Sequence, residues 1–305
     1  MGDPLAGAGD LAMTDVVTEQ PLTGAPGRRV RRVRRVPRGK KLIFAGLAYI
    51  IAIIFLLPYA EMVITALRPN AELLDRDYVP RHWTFSNFTS IWASGFGTNL
   101  KISLEVAGGA TALVLLVALP AAYYTARRHF PGRGVFLLLV LVTQMLQPAA
   151  MLVGIQREFL NFDLPSAVLS LILVNAGFNL AFAVWILNAY FSSVPVELEE
   201  AAMVDGAGRL GALRRITLPL AMPGIVTALI FTFIAAWNEF IVALTLATSP
   251  DEFPLTVAIN NYVGQYSVDW GHLFAGSVIA TIPVIILFAF IEGKVVGGLT
   301  AGSIK

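Results

Sequence analysis

Apolar residues run along this chain in long blocks, not in the alternation of a half-buried strand or the one-sided stripe of a soluble helix. Six blocks hold no Asp, Glu, Lys or Arg: Leu42–Ala60, Val106–Ala126, Gly134–Gln156, Leu164–Val196, Ile216–Asn238 and Trp270–Ile291. A helix needs about 20 apolar residues to cross a bilayer, and an ionised group at its centre costs roughly 2.5–3.5 kcal/mol. The blocks therefore predict six membrane helices and an all-α polytopic protein. A large soluble protein would need six buried helices with almost no polar outer face.

Composition agrees: 56% of residues are hydrophobic and 14% charged, and the mean hydropathy is +0.71, against averages of about 45–50% and about 25% for soluble domains. The polar residues between the blocks set an orientation, because cytoplasmic connections are enriched in Lys and Arg. Nine basic residues, Arg28, Arg29, Arg31, Arg32, Arg34, Arg35, Arg38, Lys40 and Lys41, precede the first block. With the second and fourth connections and the tail, that side holds seventeen of the 22 basic residues. Both termini are therefore expected in the cytoplasm. The basic run beside a membrane span reads as an anchor on anionic lipid. A net charge of +2 gives no global field for nucleic acid. Residues 1–41 read as a disordered basic cytoplasmic lead, and the late position of the cluster sets it apart from a cleaved signal. Between the first two spans, Arg68–Gly97 carries Trp83, Phe85, Phe88 and Trp92, as an interfacial aromatic belt does.

The connection between the fourth and fifth spans, about 193–220, is richer in signals. Pro195 suits a helix start, and Glu197, Glu199 and Glu200 sit where carboxylates favour the positive end of a helix dipole. Asp205-Gly206 supplies a stop, since glycine reaches left-handed angles without a Cβ clash. Leu210, Leu213 and Ile216 then recur at helical spacing up to Pro219. Two short helices joined at a glycine corner are predicted.

Within that loop, Glu200-Ala201-Ala202, then Asp205-Gly206-Ala207, then Ile216-x-Leu218-Pro219 resemble the EAA loop of ABC importer permeases. Trp237-Asn238-Glu239-Phe240, Ala243-Leu244 and the terminal Gly298-Leu299-Thr300-Ala301-Gly302 resemble the carbohydrate branch, MalG-type. The likeness spans Leu42 to the end, with Leu213 standing where the family often has an aromatic residue. It implies the six-helix type I importer fold (MetI-like) in a bacterial cytoplasmic (inner) membrane. It further implies a second homologous permease, two ATPase subunits, an extracytoplasmic solute-binding protein, and a carbohydrate substrate of the maltose or trehalose class. Glu200, Ala201, Ala202, Asp205, Gly206 and Ala207 would then couple to the ATPase, and Thr300, Ala301 and Gly302 would contact it. No G-x-x-x-x-G-K-[ST] loop occurs, so no cofactor is expected on this chain, with ATP and Mg held by the partners.

Polar residues inside the spans are candidates for the translocation path, because a group in hydrocarbon must find a partner or face water. They are Gln144 and Gln147 in the third span, Asn175 and Asn179 in the fourth, and Asn238 and Glu239 in the fifth. Asn175 and Asn179 stack at i, i+4, where they either line a cavity or tie neighbouring helices. Catalysis is not expected. His82, His129 and His272 fall in separate connections or span edges, and Asp75/Asp77 and Asp251/Glu252 read as solvated loop charges. An ion-coupled secondary transporter and a membrane scaffold are the alternatives from other classes.

Overall fold

The structure is a computed structural model describing residues 38–73, 77, 79–146, 148–161 and 166–301, with side chains for all of these but 38–42, 160 and 292–301. Every regular element among them is helical, apart from an isolated antiparallel bridge between Val263 and Val268. Residues 1–37 of the expected basic lead, Gln147 and Gly302 lie outside the described residues, as do the side chains of Thr300 and Ala301.

The chain divides into two compact units, Met1–Ile54 and Phe55–Lys305. In the first, helix α1 (Arg38–Ala66) begins and runs on past the unit's end, longer at both ends than the block that predicted it. The second unit holds α2 (Ser86–Ile91), a π-turn at Trp92–Phe96, α3 (Gly97–Arg127), α4 (Arg133–Thr143), α5 (Pro148–Asn161) and α6 (Ala167–Ser193). There follow α7 (Val196–Val204), α8 (Arg209–Ala212), a second π-turn at Leu213–Thr217, α9 (Leu218–Leu220) and α10 (Met222–Trp237). The chain closes with α11 (Ile241–Leu246), α12 (Leu255–Asn260) and α13 (Trp270–Ala301).

Among the described residues four helical stretches are long and apolar enough to cross a membrane: α1, α2 continued into α3, α6 and α13. Two bent pairs bring the count to six if each is one crossing. The third block is thus broken where the sequence predicted a continuous helix, while the break in the fifth follows Pro219, where the loop helices were expected to close. The α4/α5 pair bends by 93° and the α8–α9/α10 pair by 71°. A proline, whose ring meets the carbonyl four residues back, stands at each break. Pro148 opens α5, and Pro223 opens α10 four residues after Pro219.

The core lies where α3, α6 and α10 meet. α3 faces its neighbours with a stripe of small residues, Ala107, Ala110, Val114, Ala118 and Ala122, against Ala176, Ala183 and Leu187 of α6 and Ala228 of α10. Leu116, Phe231, Ile285 and Phe290 point outward. Lipid tails are as apolar as leucine, so burying bulk gains little and close packing of small residues holds the helices together. Gly224 takes this furthest: a Cβ there would stand 2.3 Å from the Tyr190 ring, so only glycine lets α10 reach α6.

Hydrogen bonds fix the helix directions. The C-terminal end of α3 lies beside the end of α6, where Arg127 Nη1 donates to Val194 O at 3.0 Å. Its other end lies beside α12, where Leu255 N donates to Ser103 Oγ at 2.7 Å. α3 and α6 therefore run in the same direction, as a six-crossing topology requires of its second and fourth spans.

Candidate functional site

The loop between α6 and α10 folds as the glycine corner predicted from its sequence. Pro195 precedes the first turn of α7, which carries Glu197 and Glu199. The helix ends in a Schellman motif: Ala207 N donates to Ala202 O at 3.0 Å and Gly206 N to Met203 O at 3.1 Å. Closing that motif puts Gly206 at φ +89°, in the left-handed region. Its chain neighbours aside, nothing among the described residues lies within 4 Å of where its Cβ would be. The structure brings all six predicted coupling residues to this corner. Glu200, Ala201, Asp205 and Gly206 are exposed, and Ala202 and Ala207 half-buried. Beside them Val204 is 88% and Leu210 76% exposed, a bare apolar surface on a segment outside the spans.

Glu199, one residue before the motif, turns inward and is buried. Arg127 donates from Nε to its Oε1 at 2.8 Å, with Nη2 2.7 Å away. Tyr123 donates its hydroxyl to Oε2 at 2.9 Å. Thr217, in the second π-turn, donates to Oε1. Burial pushes the carboxyl up, but the hydrogen bonds from Thr217, Arg127 and Tyr123 outweigh it and hold Glu199 below the usual carboxylate range. Sequence reasoning gave this residue only a dipole role. A signal was present: Tyr123 and Arg127 stack at i, i+4 at the end of the second span and need an acceptor.

The intramembrane candidates separate. Asn175 and Asn179 donate their amides to Leu171 O and Asn175 O, carbonyls of their own helix, at 2.9 and 2.8 Å. Gln144 donates to Phe178 O at 3.1 Å. Glu239 caps α11, accepting from Val242 N and Ala243 N at 2.8 and 2.9 Å. Asn238 is exposed and lines a cavity of about 590 Å³ with Trp237, Thr256, Asn260, Ser277 and Thr281. Tyr59 and Phe240 add two more aromatic rings to its wall. Gln147, Thr300, Ala301 and Gly302 cannot be placed in this way, as their side chains fall outside the described residues.

At the far end of the bundle His272 joins Asp269 through Nδ1 and Ser90 Oγ through Nε2, the latter at 2.7 Å. Ser90 Oγ also lies 2.7 Å from Ser86 O, one turn back on its own helix. The arrangement ties α2 to the start of α13. His82 meets Glu72 at 2.7 Å instead. Among the described residues no three of His, Asp and Glu are grouped to hold a metal.

Residues 112–295 match the family described as binding-protein-dependent transport system inner membrane component. The chain belongs to that family. It is thus an ABC transporter permease, a membrane-spanning subunit, and the ion-coupled alternative falls away. The permease is 30% identical to the diacetylchitobiose uptake system permease protein NgcG of Streptomyces coelicolor, over 83% of this chain and 85% of that protein. It is 33% identical to the trehalose transport system permease protein SugB of Mycobacterium tuberculosis, over 82% and 92% of the two chains. Its fold matches a bacterial ABC transporter involved in the import of the acidic polysaccharide alginate, with a TM-score of 0.72 and 22% identity over 85% of this chain and 98% of that one. The permease therefore has the all-α type I importer fold that its sequence resemblance implied.

Proposed function

We propose that this permease is one of two homologous membrane subunits that form the path of an ATP-driven carbohydrate importer. It would receive its sugar from an extracytoplasmic solute-binding protein and its energy from two ATPase subunits. The observation that carries this reading is the α7–α8 corner. An apolar surface left bare outside the membrane marks a partner's seat, and Val204 and Leu210 frame the left-handed Gly206 there. The excess of Lys and Arg on the same side of the chain supports a cytoplasmic corner and cytoplasmic termini, on the side where ATP is.

The sugar class rests on chemistry and kinship together. The cavity at Trp237 and Asn238 offers aromatic faces beside amides and hydroxyls, the mix that apolar ring faces and hydroxyl groups of a saccharide require. The relatives named for diacetylchitobiose and trehalose handle disaccharides of different composition, so the maltose or trehalose class stands as the expectation for size. In this reading Asn238 touches the passing sugar. Asn175 and Asn179, bonded to carbonyls of their own helix, hold that helix and do not line the cavity.

Gly206→Asp tests the seat. The new side chain has room within this chain, and the left-handed backbone costs roughly 1–2 kcal/mol. Membrane insertion should persist while capture of the ATPase subunits from the native membrane falls at least tenfold. Capture at the wild-type level would overturn the reading.

A further inference from the structure

The exposed corner and the cavity lie at different levels of the bundle, and something must join them mechanically. α7 packs chiefly on α8 and the second π-turn. Its link to α3 runs through the Glu199 side chain, which takes donors from two residues of α3, Tyr123 and Arg127, and from Thr217 of the π-turn. Arg127 reaches on to Val194 O, the carbonyl that ends α6. Four segments thus meet at one buried carboxylate. From Thr217 the chain passes through α9 and the 71° bend into α10, whose far end carries Trp237 and Asn238 of the cavity wall.

We propose that Glu199 is a positioning residue of energy coupling: it clamps the corner to α3 and to the π-turn, so that force applied at the corner turns the cavity wall and does not merely slide α7 along the bundle. The inference deepens the ATPase-seat reading and rests on it. A carboxylate suits the task. Apolar surfaces of lipid-facing helices slide past one another at little cost, whereas three directional hydrogen bonds in a low-dielectric site resist shear. The π-turn adds to this, since such turns place a side chain off the regular helical register and recur at functional sites. Here it aims Thr217, fully buried, at the carboxylate.

The chain has no cysteine, so one placed at Ser277 in the cavity wall reports cleanly through its rate of reaction with a soluble thiol reagent. The assembled transporter would be compared without nucleotide and with ATP and vanadate. In the Ser277→Cys parent, nucleotide should change the labelling rate several-fold. Adding Glu199→Gln should leave the ATPases bound and hydrolysing ATP while the nucleotide effect at Ser277→Cys shrinks to less than twofold. Thr217→Val, which keeps volume and removes one donor, should give an intermediate response.

A full nucleotide response in Glu199→Gln overturns the proposal. So does parallel loss of hydrolysis and response in both variants, the mark of a merely structural role. If Glu199→Gln fails to assemble, Thr217→Val decides alone, and an undiminished response there overturns it. A parent that captures no ATPase, or shows no nucleotide effect, overturns the proposed function itself, which separates the two failures.

Discussion

The Glu199 cluster and the His272 cluster stand at opposite ends of the bundle and use similar groups to join helices, yet they sit in different surroundings. The side chains of Arg127 and Glu199 are 9% and 7% exposed. Those of His272 and Asp269 are 21% and 41% exposed, and Ser90 is open to solvent. An ion pair in water gains little over its separate solvated ions, and salt screens what remains. A buried pair is costly to make and far more costly to break, because either partner left alone is an uncompensated charge. The comparison teaches that the end carrying the exposed corner is built as a rigid joint. The other end is held by ties that can rearrange.

Arg127→Ala tries this distinction hardest. It strands the Glu199 carboxylate and should cost about 3–5 kcal/mol, read as a large fall in the unfolding midpoint of the purified permease. A loss under about 1 kcal/mol would show that water reaches the joint and that the two clusters are alike.

Acid should loosen the Glu199 end by way of its carboxylate. Glu199 titrates below the usual range when folded, so its contribution is fully present above its unfolded value of about 4.3 and is lost as pH falls through the folded value. The difference in unfolding midpoint between the wild type and Glu199→Gln should be flat from about pH 8 to 5 and close below about 4.3. A difference that closes near neutrality would mean the carboxyl is held neutral and the charge argument is wrong.

His272→Phe should do least. It keeps a ring against Tyr262, on which the imidazole now stacks at 5.5 Å, and removes the bonds to Asp269 and Ser90. A stability loss below about 1 kcal/mol is expected. A loss matching that of Arg127→Ala would erase the contrast between the ends.

Much of this was legible beforehand, for identifiable reasons. The blocks of uncharged residues gave the crossings, because hydrocarbon forbids charge regardless of how helices pack. Gly206 gave the corner, because a Schellman stop is made from residues within one turn. The break at Pro148 was visible as a residue but was read through, since proline is tolerated in membrane helices. Pro58, Pro120 and Pro283 indeed sit inside unbroken ones. Whether a proline breaks a helix there depends on what neighbours can do for the freed carbonyls.

The sequence by itself determined which segments enter the membrane, which side carries the positive charge, and where the corner turns, since each follows from transfer energies or local backbone preferences. Only the tertiary structure decided which carboxylate of the Glu199-Glu200 pair is buried and which faces outward. Adjacent residues on a helix point about 100° apart, so the rotation of a nine-residue helix settles their roles, and that rotation is set by Tyr123, Arg127 and Thr217 arriving from elsewhere in the chain. The same holds for Asn175, Asn179 and Asn238. Their amides are alike in sequence, and only the neighbouring helices determine which of them opens onto a cavity and which folds back on its own backbone.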